Sequence, residues 1–187
     1  MKTWELLKDF QLKMPKLVRD LEQATHHFDA ESLSPHHLEG NVFGHTNMVL
    51  LMAEHYNENL NVRISALCHD LGKPMSITRV EDKKRIRMFN HESLSVYLAL
   101  DYLNTLDLSS EDKIRICQLI ALHTYLYKEM REDGYEQRVI SKFAGEQELF
   151  YDILSLTRSD ALGRFAENED RSPFFDPHQT SSSILYG

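Results

Sequence analysis

Six ionisable side chains lie on the apolar faces of segments with helical spacing, and a chain that buries them can fold only where each one meets a partner. His45 precedes Met48, Val49 and Met52 at i+3, i+4 and i+7. His69 follows Val62, Ser65 and Ala66 at the same spacings, and Asp70 follows Ala66 and Leu67. His91 precedes Leu94, Ser95 and Leu98, His123 follows Ile116, Leu119 and Ile120, and Asp160 follows Ile153, Leu156 and Thr157. Residues so spaced share one face of a helix, so all six point inward. Burying such groups is costly unless a hydrogen bond, an opposite charge or a metal meets each of them. Imidazoles and carboxylates converging in one core make the ligand chemistry of a borderline divalent cation. A core histidine satisfied by hydrogen bonding is the commoner fate of any one of them taken alone. The face criterion is also permissive, since His55 follows Met48, Leu51 and Met52 and carries no assigned role. Intervals of 24, 21, 32 and 37 residues separate the candidates, too long for a local metal motif, so periodicity leaves both readings open.

The same periodicity sets the fold class: an all-α bundle of about seven helices with one small β-hairpin. The seven glycines and five prolines are too few to punctuate a sandwich or barrel of short strands. Residues 4–28 read as two helices split at Pro15, and residues 29–44 as a loop. Helices follow over about 45–58 and 62–71, the second stopped by Gly72 as a left-handed cap with Pro74 beyond it. Ser76–Val80 and Arg85–Phe89 form the hairpin. Further helices are expected over about 91–106, 110–123, 136–144 and 146–166, with Ser109 or Ser110 capping the second of these. Residues 1–167 then make a single domain with its core over 37–164 and N-terminal helices over 1–28, and 168–187 a polar, surface-hugging or disordered tail.

With 21 basic against 29 acidic residues the net charge is −8, which argues against non-specific binding of duplex DNA or of an anionic membrane. The N-terminal stretch is charged throughout, and the longest apolar run is Met48–Ala53, so a cytoplasmic protein is expected. Cys68 and Cys117 both fall in apolar segments and read as free buried thiols.

Local words carry more than periodicity does. His45, then Ala66-Leu67-Cys68-His69-Asp70-Leu71-Gly72-Lys73, then Asp160 resemble the H…HD…D pattern of the HD-superfamily metal-dependent phosphohydrolases. The words around them resemble the HD domain carried by bacterial CCA-adding tRNA nucleotidyltransferases. These are the stretch from His37 to Thr46 (HLEGNVFGHT), Asn61-Val62-Arg63, the RIRMFNHE run from Arg85 to Glu92, and Ser159 to Arg164 (SDALGR). The resemblance runs from about His37 to Arg164, and the nucleotidyltransferase part is not expected in this chain. It implies that His45, His69, Asp70 and Asp160 hold a divalent ion (Mn, Ni, Co, Mg or Fe; one or two), with Asp70 also nearest the attacking water. It makes His91 and His123 second-metal or phosphate ligands, Lys73 a catalytic and phosphate-facing group, and Arg79, Arg87 and Arg164 phosphate clamps. Leu38 and Asn41 stand where the family has Pro and Asp, neither a ligand.

The stretch from Lys73 to Arg87 is the one clearly basic segment of an acidic chain and would offer a phosphate a positive field. The resemblance therefore implies a phosphohydrolase acting on a phosphorylated nucleotide or RNA end, of the 2′,3′-cyclic phosphodiesterase or 3′-phosphatase type. Its alternatives are a slow or non-catalytic HD module that binds nucleotide or tRNA, and a diiron HD oxygenase built on the same six residues.

Overall fold

The computed structural model describes residues 2–34, 37–56 and 58–165; the expected polar tail, 168–187, lies outside the described residues. In chain order the elements are α1 (Thr3–Lys13), α2 (Pro15–Gln23), α3 (Val42–His55), α4 (Leu60–Cys68), α5 (Lys73–Ser76), β1 (Ile77–Val80), β2 (Arg85–Met88), α6 (His91–Leu103), α7 (Ser110–Leu122), α8 (Tyr125–Glu129), α9 (Tyr135–Lys142) and α10 (Gln147–Leu162). The all-α class with one two-stranded antiparallel hairpin is therefore as expected. Pro15 opens α2 at a position where its missing N–H has no helical partner to lose.

Several boundaries differ, each for a local reason. α3 starts at Val42 rather than near 45 because the Asn41 side chain accepts the Gly44 N–H at 2.7 Å and caps the helix there. Gly44, which reads as a loop residue, is thus inside the first turn, and the Asn that replaces the family's Asp keeps the cap. Asn59 and Ser109 cap α4 and α7 in the same way. α4 ends at Cys68, so His69 to Gly72 form a tight turn. Pro74 does not lie beyond a stop but sits in the first turn of the short helix α5. The other short helix, α8, has no periodic signature of its own.

Gly72 is not a left-handed cap: its φ is −80°. The requirement is proximity. A Cβ there would lie 2.6 Å from Leu94 Cβ and 2.7 Å from Ser95 N and would meet the His91 carbonyl oxygen, while the Gly72 N–H donates to Ser95 Oγ. Gly163 plays the same part at the end of α10, where a Cβ would come within 2.7 Å of Val49 N on α3. These two glycines let α6 approach the turn carrying His69 and Asp70, and let α10 approach α3.

The core is built from Leu21, Val49, Leu50, Ile64, Leu67, Leu103, Ile116, Leu119, Ile120 and Ile153, contributed by α2, α3, α4, α6, α7 and α10. Phe10 of α1 meets Tyr102 of α6 edge-on, with ring centroids 5.0 Å apart. Cys68 is buried and Cys117 half-buried, and both are free thiols. No helix among the described residues is long and apolar enough to cross a membrane. Gly72→Ala and Gly163→Ala should each lower stability by about 1–3 kcal/mol, the usual result of forcing extra atoms into a packed contact, despite the higher helix propensity of Ala. Thermal melts read this directly, and an unchanged or raised Tm in either variant contradicts the close-approach reading.

Candidate metal centre

All six inward-facing candidates are buried: His45, His69, Asp70, His123 and Asp160 are at most 2% exposed, and His91 is 8% exposed. His55, the permissive case, is exposed at the end of α3. Helix ends deliver five of the six, and Asp70 comes from the turn after α4. His69 and His123 follow the last residues of α4 and α7, His91 is the first residue of α6, His45 lies in the first turn of α3, and Asp160 in the last turn of α10.

Asp70 stands at the middle. Its Oδ2 lies 3.6 Å from His45 Nε2 and 3.1 Å from His69 Nε2, and its Oδ1 lies 3.3 Å from His91 Nε2 and 3.7 Å from His123 Nε2. Asp160 Oδ1 is 3.0 Å from His45 Nε2 and 4.0 Å from His69 Nε2. Each carboxylate also has a cation from its own element. Lys73 Nζ sits 2.7 Å from Asp70 Oδ2, and Arg164 reaches Asp160 with Nη2 at 2.5 Å and Nε at 3.3 Å. Burial alone would raise both carboxyl pKa values. The His69 imidazole and Lys73 ammonium around Asp70, and the Arg164 guanidinium and His45 imidazole around Asp160, instead hold both well below the usual carboxylate range.

The histidines are oriented from behind. His69, His91 and His123 each donate Nδ1–H to the carbonyl three residues back, those of Ala66, Met88 and Ile120, at 2.8–2.9 Å. A carbonyl only accepts, so Nδ1 carries the proton and, in the neutral ring, Nε2 presents its lone pair to the centre. His45 has a carboxylate behind it instead, with Glu39 Oε1 at 3.1 Å from Nδ1. Burial pushes the His123 pKa down to about 3, so that ring is neutral. His91 Nε2 and His123 Nε2 nevertheless stand 3.2 Å apart.

This arrangement fits a cation. Both Asp70 oxygens and His69 Nε2 are buried without a partner in hydrogen-bonding geometry, although Lys73 and the imidazoles crowd around them. Ligand atoms of His45, His69 and Asp70 lie within 4.8 Å of one another, and so do those of Asp70, His91 and His123. The carboxylate of Asp70 is thus common to two groups that could each hold a divalent ion.

A cleft of about 350 Å³ opens beside the cluster. Lys73 and Arg164 line it from the cluster side, Ile86 and Met88 from the hairpin, His26, Ser34 and His37 from the segment between α2 and α3, and Arg131 from beyond α8. No carboxylate is among these lining residues. Arg164 lies over the Tyr127 ring, 4.6 Å from its centroid. The two remaining clamp candidates are not brought to the cleft wall. Pairing of Thr78 with Arg87 and of Arg79 with Ile86 puts Arg87 on the hairpin face opposite Ile86 and Met88. Arg87 instead stands over Phe89. Arg79 shares the face of Ile86 but is tied to the Phe28 carbonyl at 2.6 Å and lies over the Phe28 ring. Periodicity missed His26, His37, Glu39 and Arg131, which lie in irregular segments. The family word beginning at His37 was the one signal that could have singled out His37 and Glu39.

The HD domain family model matches residues 42–153, more than half of the chain. This chain therefore belongs to the HD domain family, within the metal-dependent phosphohydrolase superfamily. It is similar to an A-adding tRNA nucleotidyltransferase of Deinococcus radiodurans, 29% identical over 143 residues, which is 70% of this chain and 31% of that protein. The chain thus spans about a third of the relative's length, 31%. No solved structure matches it. The family match ends before Asp160, and packing of α10 on α3 brings that carboxylate to the set.

A divalent ion that binds the folded cluster and not the unfolded chain stabilises the protein by mass action, by about 2.7 kcal/mol at a hundredfold excess over its dissociation constant. Adding Mn²⁺, Co²⁺ or Ni²⁺ to chelator-treated protein should raise Tm by several degrees, and Asp70→Asn should abolish the rise. A parent protein whose melting ignores all three ions would show that the cluster holds none of them.

Proposed function

We propose that this protein is a divalent-metal-dependent phosphohydrolase acting on a phosphorylated nucleotide or an RNA end, of the 2′,3′-cyclic phosphodiesterase or 3′-phosphatase type. The observation that carries the reading is the continuity between cluster and cleft. Lys73 and Arg164 line a cleft without carboxylates and at the same time bond the two carboxylates of the cluster. The name of the relative, a tRNA nucleotidyltransferase, supports an RNA end as one carrier of the phosphate.

In this reading His45, His69, Asp70 and Asp160 hold one divalent ion, and His91 and His123 join Asp70 around a second. When bound, the ion neutralises phosphoryl oxygens and acidifies water. Asp70 orients the attacking water and takes its proton. Lys73 and Arg164 stabilise the charge that grows on the phosphoryl group, from positions already fixed by Asp70 and Asp160. Arg79, tied to Phe28, and Arg87, over Phe89, have no part in it. Glu39 stands behind His45, its Oε1 3.1 Å from Nδ1.

The test is a matrix of Mn²⁺, Ni²⁺, Co²⁺, Mg²⁺ and Fe²⁺ against 2′,3′-cyclic nucleotides, 3′- and 5′-mononucleotides and bis-p-nitrophenyl phosphate. Turnover of a cyclic or 3′-phosphate with at least one ion is expected, and Asp70→Asn should lower it by about 10²-fold or more. An iron-loaded protein that consumes O₂ and hydrolyses no phosphate ester would replace this reading with the oxygenase one. His123→Ala should lower the bound-metal stoichiometry towards one, measured by native mass spectrometry. Equal stoichiometry in parent and variant removes His123 from the ligand set and leaves it as a phosphate contact.

A further inference from the structure

His37 lines the cleft, yet nothing in the hydrolytic scheme uses it. Its Nδ1 lies 2.8 Å from Glu39 Oε1, and the same oxygen is 3.1 Å from Nδ1 of His45. The Glu39 side chain is 3% exposed. Its other oxygen accepts the Phe165 N–H, so the carboxylate is fixed on three sides. A carboxylate accepts only, so the neutral His37 ring carries its proton on Nδ1. Nε2 is then a bare acceptor. It makes no hydrogen bond with the described protein and is not among the buried atoms that lack one. The side chain keeps 15% exposure on the cleft. The ring is clamped flat against His26, with centroids 3.8 Å apart and planes 8° from parallel, so it cannot turn freely. Burial pushes its pKa down to about 4, in keeping with a neutral ring.

The cleft therefore presents opposite chemistries side by side. Lys73, Arg164 and Arg131 offer donors and positive charge. His37 Nε2 offers an acceptor. A phosphate, which only accepts at neutral pH, is matched by the cations and repelled by that lone pair. A hydroxyl next to the phosphate is matched by it. In a nucleotide whose 3′-phosphate sits between Lys73 and Arg164, the donor closest to that phosphate is the 2′-hydroxyl. The cleft volume, about 350 Å³, is at the small end for ligand sites and suits one nucleotide unit.

We propose that His37, oriented by Glu39, accepts a hydrogen bond from the ribose hydroxyl beside the scissile phosphate, so that the site selects a ribonucleotide monoester over its deoxy counterpart. This inference rests on the phosphohydrolase reading and narrows it to substrates that keep a free vicinal hydroxyl. A site built around a buried acceptor loses that bond with the deoxy analogue and leaves its own polar atom unmatched.

The experiment compares adenosine 3′-monophosphate with 2′-deoxyadenosine 3′-monophosphate. A second arm uses two short RNA oligonucleotides with a 3′-phosphate, one ending in a ribonucleotide and one in a deoxynucleotide. The parent protein, with its most active metal, should favour the ribo member by at least about tenfold in kcat/KM. The arm that shows the preference identifies a free nucleotide or an RNA end as the source. His37→Phe keeps a flat ring against His26 and removes the acceptor. It should collapse the ratio towards one, mainly by loss on the ribo substrate. His37→Gln, whose carbonyl can stand near the Nε2 position, should retain part of the ratio and keeps the test open if the Phe variant folds poorly. Dissociation constants for the two mononucleotides, measured with metal chelated, should show the same preference. If no metal supports hydrolysis, the proposed function fails while this binding ratio still decides the role of His37. A ratio near one in both arms and in binding, or an equal loss on both substrates in His37→Phe, overturns the inference.

Discussion

The buried carboxylate of Asp70 is the interaction around which the molecule is arranged. It is 1% exposed, and its two oxygens face different pairs of imidazoles, His45 and His69 on one side and His91 and His123 on the other. A lone ionised carboxyl in such a place would be prohibitively destabilising or would be forced to protonate. Here Lys73 supplies the compensating charge from three residues along, as Arg164 does for Asp160 from four residues along. Each carboxylate arrives with its own cation. The helices therefore bring together two nearly neutral units and four imidazoles, not bare charges.

That arrangement explains how a helical bundle affords such a polar centre. Five of the six groups come from helix ends, where the backbone has carbonyls to spare. Three of the histidines use the carbonyl three residues back to fix Nδ1–H and turn Nε2 inward. Glu92 binds the beginning of α6 to the residue after His123: Thr124 Oγ1 donates to its Oε1 at 2.5 Å, and Lys128 approaches at 2.8 Å. His45 is the exception, because its support is a side chain. Glu39 reaches both His45 in the cluster and His37 in the cleft, so the cluster and the substrate-facing wall are joined by one carboxylate.

Much of this was written locally. The HD and SDALGR words put each carboxylate within four residues of its cation. Apolar spacing alone placed all six groups on interior faces, and they are buried. The helical class and the hairpin followed from periodicity and from β-rich runs at 76–89. What the words could not give was the role of a glycine or the face of an arginine. Gly72 reads as a left-handed cap, and its real constraint is the approach of Leu94 and Ser95 from a helix about twenty residues away. Arg79 and Arg87 read alike in a basic hairpin, and the strand register sends them to opposite faces.

The sequence by itself thus determined which side chains are inward and that a cation lies within one helical turn of each carboxylate, because these depend on neighbours within one or two helical turns. Only the tertiary structure decided which Nε2 meets which oxygen, that Asp70 serves two groups at once, and that His26, His37 and Arg131 share a cleft with Lys73 and Arg164. Those relations join residues separated by tens of positions. They are fixed by how closely α3, α4, α6, α7 and α10 can pack, and no local spacing encodes that distance.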